Sequence, residues 1–245
     1  MSDVKIKALT RLFKRAHLGG LLGECVLKET KNGENFIGCV DLTNSIILTV
    51  FAKTGFKGFD KLGLGDLGII CKYLETADDE TSLEVNNNRL VFKNTNGTFK
   101  YLLSQPDLIP TSLDDTDALI NLTNNCTHEV TLTEKFAKNF AQSMALTKTN
   151  NVSIVVGENV NLFGGLDSEH QFRLKIGKSK VLKESKREGK FSVSIYGYHF
   201  GAVLNVVDFS VRENYPSLLI KEGKPIVIKQ GKDCWALTIV ENKEK

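Results

Sequence analysis

Between residues 65 and 75 the apolar positions Leu67, Ile70, Cys71 and Leu74 recur at i, i+3, i+4 and i+7. This is the stripe of a short amphipathic helix. The same stripe stands 133 residues later at Phe200, Val203, Leu204 and Val207, and Gly68 maps onto Gly201. Each predicted helix runs into a charged loop and then into three predicted strands. These are 83–85, 90–92 and 99–103 in the first copy, and 218–220, 226–228 and 235–240 in the second. The offset drifts only from 133 to about 136. One folding unit occurs twice in the chain.

The remaining pattern supports that division. Residues 4–17 predict a helix with Leu9, Leu12, Phe13 and Ala16 on one face and Lys7, Arg11, Lys14 and Arg15 largely off it. Gly19-Gly20 ends it. Residues 21–28 and 35–42 read as antiparallel strands around a polar tip at Lys31-Asn32-Gly33, and 45–52 as another strand. Gly55, Gly58, Gly63 and Gly65 read as irregular turns. Residues 104–125, with Pro106, Pro110 and many Asp, Thr and Asn, show little periodicity and read as a connector.

In the second half, Thr131 and Glu134 have capping-box spacing. The helix they predict sets Phe136, Phe140 and Met144 on one face and Lys135, Lys138, Asn139 and Gln142 on another. Strands are predicted at 152–156, 161–166, 171–176 and 191–196, with a basic loop over 178–190. The expected fold is α+β, with two duplicated domains at 1–104 and 128–245 joined by a connector at 105–127. Each domain is expected to be an antiparallel sheet with two helices on one face.

Composition narrows the class. An apolar fraction of 41% and a charged fraction of 25% are those of a globular protein. No apolar run approaches the roughly 18 residues of a membrane span. The first residues lack a signal-peptide pattern, so a cytoplasmic location is expected. Five scattered cysteines, odd in number and without a CxxC pair, point to a reducing compartment and away from disulfides or zinc. Four glycosylation sequons, from Asn96, Asn121, Asn125 and Asn151, read as chance in an Asn-rich chain. The net charge of +3 permits a polyanionic partner without requiring one.

Few motifs carry chemistry. Gly63-Leu-Gly65-Asp-Leu-Gly68 matches G-x-G-x-x-G, but dinucleotide binding needs a preceding strand and a parallel βαβ unit. The duplicate places Tyr196 and Tyr198 where Gly63 and Gly65 stand, so the unit does not need them. The four histidines show no i, i+4 ligand pair, and no phosphate loop is present. A Cys–His arrangement assembled only in space keeps an enzyme as a third reading. The basic helix faces are the informative signal. Lys7, Arg11, Lys14, Arg15, Lys72, Lys135 and Lys138, with His199 opening the fourth helix, would form one positive surface. Such a surface suits sequence-blind contact with phosphates.

At this point the chain resembles a DNA sliding clamp, the ring-shaped processivity factor of replicative polymerases. It is most similar to the T-even bacteriophage type and to proliferating cell nuclear antigen. The likeness covers residues 5–20, 64–103, the connector from Pro106, 132–166 and 191–240. It implies a homotrimeric ring with helices lining the hole and sheets forming the wall. Lys7, Arg11, Lys14, Arg15, Lys72, Lys135 and Lys138 would face double-stranded DNA. Peptides from the DNA polymerase and clamp loader would enter a pocket at Leu108, Ile109, Leu237 and Ile239. Subunits would join by strand addition, with Phe99, Tyr101 and Leu103 of one meeting Phe172, Leu174 and Ile176 of the next. No catalytic residue, cofactor, metal or membrane is implied. The T-even clamp is acidic, whereas this chain has a pI near 8.5. The basic loop would add a direct DNA contact of the kind a monomeric clamp-like factor would use. The rival class is a structural virion ring or tube protein.

Overall fold

The computed structural model describes residues 4–78, 80–111, 116–165, 169–183 and 190–240, with the backbone alone at 116–118. The chain divides into two compact units, Met1–Leu42 with Ile47–Thr116, and Thr43–Ile46 with Asp117–Lys245.

The first unit opens with α1 (Ile6–His17), whose Ile6, Leu9, Leu12, Phe13 and Ala16 are buried. The helix stops at Leu18, a left-handed residue (φ 48°) whose N–H donates to the Lys14 carbonyl. Gly19 and Gly20 continue in positive φ just beyond. Strands β1 (Cys25–Glu29), β2 (Asn35–Val40), β3 (Ile46–Ala52) and β4 (Lys61–Leu64) lie in the order β4-β1-β2-β3, all pairs antiparallel. Helix α2 (Leu67–Thr76) buries Leu67, Ile70, Cys71 and Leu74, the stripe read from the sequence. Strands β5 (Ser82–Asn86), β6 (Arg89–Asn94) and β7 (Gly97–Leu102) form an antiparallel sheet in that order. Asn87 and Asn88, both left-handed, make its first two-residue turn.

Strand β4 corrects an expectation, because it contains Gly63 and ends immediately before Gly65, where irregular turns are expected from the sequence. A Cβ on Gly63 would lie 2.5 Å from the Ser104 carbonyl oxygen, and one on Gly65 2.5 Å from Ser104 Oγ. These glycines admit a crossing backbone beside the strand. That close approach is the structural meaning of the G-x-G-x-x-G match.

The second unit repeats the plan. Helix α3 (Thr116–Asn124) precedes β8 (His128–Thr131) and α4 (Glu134–Thr147). Strands β9 (Asn151–Val156), β10 (Asn159–Gly164), β11 (Phe172–Lys178) and β13 (Phe191–Tyr196) form a sheet ordered β11-β10-β9-β13. Helix α5 (Gly197–Val206) buries Phe200, Val203 and Leu204. Strands β14 (Ser217–Ile220), β15 (Ile226–Gln230) and β16 (Asp233–Leu237) pair with β8 and the short β12 (Lys180–Val181) in the order β12-β8-β14-β15-β16. Phe136, Phe140 and Phe200 join α4 to α5, with ring centroids 5.2–6.3 Å apart. Each unit thus carries two antiparallel groups of strands and a pair of amphipathic helices, to which the second unit adds α3.

Two further expectations change. The stretch that lacks periodicity in the sequence contains α3, in which Leu119 is buried. The cap of α4 is Thr133 and not Thr131: its hydroxyl accepts the Phe136 N–H at 3.2 Å. Thr131 is instead the last residue of β8.

Candidate nucleic-acid interface

The buried stripe of α1 fixes what the opposite side presents. Lys7, Arg11 and Lys14 are exposed and Arg15 is half-buried, and no acidic residue stands in the first turn. Lys14, Arg15 and His17 occupy the last turn, where cations are favoured by the helix dipole. Helix α2 is held through both polar groups of its cap residue. The Asp66 carboxylate accepts the Ile69 N–H at 3.0 Å, while the Tyr101 phenol oxygen accepts the Asp66 N–H at 2.7 Å. From α2, Lys72 is exposed. So is Glu75, which pairs with Lys14 at 2.9 Å. That contact holds the Glu75 carboxyl below the usual carboxylate range.

In the second unit α4 exposes Lys135 and Lys138, with Lys138 paired to Glu134 at 2.6 Å one turn back. Among the described residues, Lys72 and Lys135 have no carboxylate within ion-pair range. Helix α5 departs from the expected pattern. It carries no Lys or Arg, and its entrance is aromatic: Tyr196 and Tyr198 are 42% and 64% exposed. The His199 ring lies 5.2 Å from Tyr196 and 6.4 Å from Tyr198. The basic side chains therefore come from three helices, and the fourth adds phenols. The sequence signal for those phenols is Tyr-Gly-Tyr-His at 196–199, whose aromatic character is masked when its tyrosines are aligned with Gly63 and Gly65.

The other assigned positions separate in the same way. Leu108 is 77% exposed, whereas Ile109 and Leu237 are buried and Ile239 is half-buried. Strand β7 is an edge of its sheet, and β11 is an edge of its own. Tyr101, Leu103 and Ile176 are buried, while Phe99, Phe172 and Leu174 are half-buried. Leu102, Lys100, Arg173 and Lys175 point outward, so backbone groups and these side chains are what the edges offer. Of the basic segment 178–190, residues 184–189 lie outside the described residues. Lys180 sits 3.6 Å from Glu129, and Lys183 donates to the Asn124 carbonyl at 2.6 Å.

The chemistry of the described residues does not favour a thiol nucleophile. All five cysteines are buried and free. Burial pushes the Cys71, Cys126 and Cys234 thiols up to about 11, and Cys25 upward too. An activated cysteine shifts the other way. Among the described residues, no group of three or more His, Cys, Asp and Glu could hold a metal ion. No helix among them is long and apolar enough to cross a membrane.

No protein-family model and no curated protein matches the sequence. Solved structures do. A. fulgidus PCNA, bound to the C-terminal region of FEN-1, superposes with a TM-score of 0.73 at 12% identity, covering 99% of each chain. PCNA from Thermococcus kodakaraensis gives 0.67 at 12% identity, over 96% of this chain and 97% of that one. The Helicobacter pylori beta clamp gives 0.69 at 11% identity over 99% of this chain, which spans 65% of that clamp's length. Another structure of that clamp holds a DNA ligase peptide. The chain has the fold of the DNA sliding clamps.

Proposed function

We propose that the protein is a DNA sliding clamp, a processivity factor that encircles duplex DNA and tethers a DNA polymerase. The observation that carries this reading is the pairing of that fold, along nearly the whole chain, with lysines and arginines on the outward faces of α1, α2 and α4. Lys7, Arg11, Lys14, Arg15, Lys72, Lys135 and Lys138 face the DNA. The two-unit chain assembles as a homotrimer of the T-even and PCNA type, with β7 of one subunit adding to β11 of the next. A clamp loader opens the ring, and partner peptides dock near the exposed Leu108. No bond is made or broken by the clamp itself. Its action is topological, since a closed ring leaves DNA only at an end or by opening. Contacts through water and mobile counterions let it slide. Tethering keeps the polymerase at high effective concentration near the primer.

The test needs no loader. A linear duplex fixed to beads at one end is incubated with the protein, and the free end is then blocked by a bulky protein. Washing at high salt follows. A clamp stays on the blocked duplex and is lost from the open one. Equal loss from both, or equal retention on both, contradicts encirclement.

A further inference from the structure

Lys14 and Lys138 of the candidate surface each stand beside a carboxylate, and the two units arrange this differently. In the first, Lys14 Nζ lies 2.9 Å from Glu75 Oε1, an ion pair between α1 and α2. In the second, Lys138 Nζ lies 2.6 Å from Glu134 Oε1, within α4. Both lysines remain open to solvent, with side chains 50% and 69% exposed, and both glutamates are 54% exposed. Exposed pairs of this kind add little to folding; Glu134 also suits the helix dipole from the first turn of α4, whereas Glu75, in the last turn of α2, has no such role. Glu75 also helps line a cleft of about 490 Å³ along α1 and α2. One side of it is basic, from Lys7 and Lys14, and the other acidic, from Glu75 and Asp78. A phosphate that approaches Lys14 or Lys138 meets the charge of the carboxylate already there.

We infer that Glu75 and Glu134 act as brakes on DNA contact, competing with backbone phosphates for Lys14 and Lys138. The inference rests on the DNA-facing reading proposed above. These two glutamates keep the helix surfaces attractive enough to centre a duplex but too weak to fix it in one place. Each unit meets the requirement with its own carboxylate, because α5 has no acidic residue to play the part that Glu75 plays on α2.

The test is direct binding of a short fluorescent duplex, followed by anisotropy across a salt series. The Glu75→Gln/Glu134→Gln variant keeps shape and removes both charges. Its affinity should rise about two- to fivefold per released lysine at low salt. The slope of log affinity against log salt should steepen by about 0.9 for each released lysine. Affinity and slope equal to wild type overturn the inference. Lys14→Gln/Lys138→Gln is measured alongside. If it weakens binding while the glutamate variant changes nothing, the brake is wrong and the DNA-facing assignment stands. If neither variant alters binding, both fail.

Discussion

The phenol oxygen of Tyr101 accepts the backbone N–H of Asp66 at 2.7 Å, so an edge strand holds the cap of the helix on which the first unit's pattern is centred. Tyr101 is 8% exposed, and burial raises its phenol above the ordinary range, which keeps it neutral. Tyr101→Phe preserves the ring and removes the acceptor. The expected cost is about 1 kcal/mol, read as a lower urea midpoint with an unchanged slope. A midpoint equal to wild type would show that water replaces the phenol without loss.

Gly63 and Ser104 make a second dependence. With the Ser104 carbonyl oxygen only 2.5 Å from where a Cβ would sit, and Pro106 N at 3.0 Å, the obstruction is backbone and not a movable side-chain tip. Gly63→Ala should destabilise the first unit by about 1–3 kcal/mol. Gly223→Ala is not an equivalent control, since its φ of 66° adds strain of its own. Gly23→Ala, with open space around the new methyl and no positive φ, is the suitable one. Equal stability of the two variants would refute the crowding argument.

Acid should weaken the fold through two histidines. Burial lowers the pKa of His17, with Asp66 partly opposing, and burial lowers that of His128. A histidine with a depressed folded pKa binds fewer protons folded than unfolded. Stability is therefore complete above the unfolded value of about 6.5 and falls as pH drops through that value toward the lower folded pKa. Denaturation midpoints measured on both sides of that window should decline on the acid side. His17→Gln/His128→Gln should flatten the decline, and an undiminished decline would assign it to other groups.

Reversing charge on both units probes the proposed surface. Arg11→Glu with Lys138→Glu should impair DNA loading and processivity while leaving the assembly mass unchanged, because both side chains are exposed. Primer extension at two salt concentrations measures this. Wild-type product lengths from the double variant would remove these residues from the DNA-facing set.

Local periodicity makes much of the fold legible. The stripes at Leu67, Ile70, Cys71, Leu74 and at Phe200, Val203, Leu204 are buried as the sequence predicts, and the strand after each helix falls within a few residues of its expected place. The features that local pattern misses depend on contacts distant in sequence. Gly63 signals a turn until Ser104 crosses it. Helix α3 hides in an Asp-, Thr- and Asn-rich stretch, where Leu119 contributes a single buried position among the described side chains. The basic faces are visible because lysine and arginine recur at helical spacing. The proposed restraint is only half visible: Glu134 stands at i, i+4 to Lys138 in the sequence, but Lys14 meets Glu75 only after α1 packs on α2. Ile109 and Leu237 illustrate the same limit, since their apolar type does not foretell that both are buried while Leu108 beside Ile109 is exposed.

The most direct test of the proposed clamp is its solution mass, measured by light scattering across protein concentrations and at two salt levels. The proposal requires a stable species of about three times the 27.2 kDa chain. A monomer at every concentration, or a large heterogeneous assembly, would contradict the closed trimeric ring.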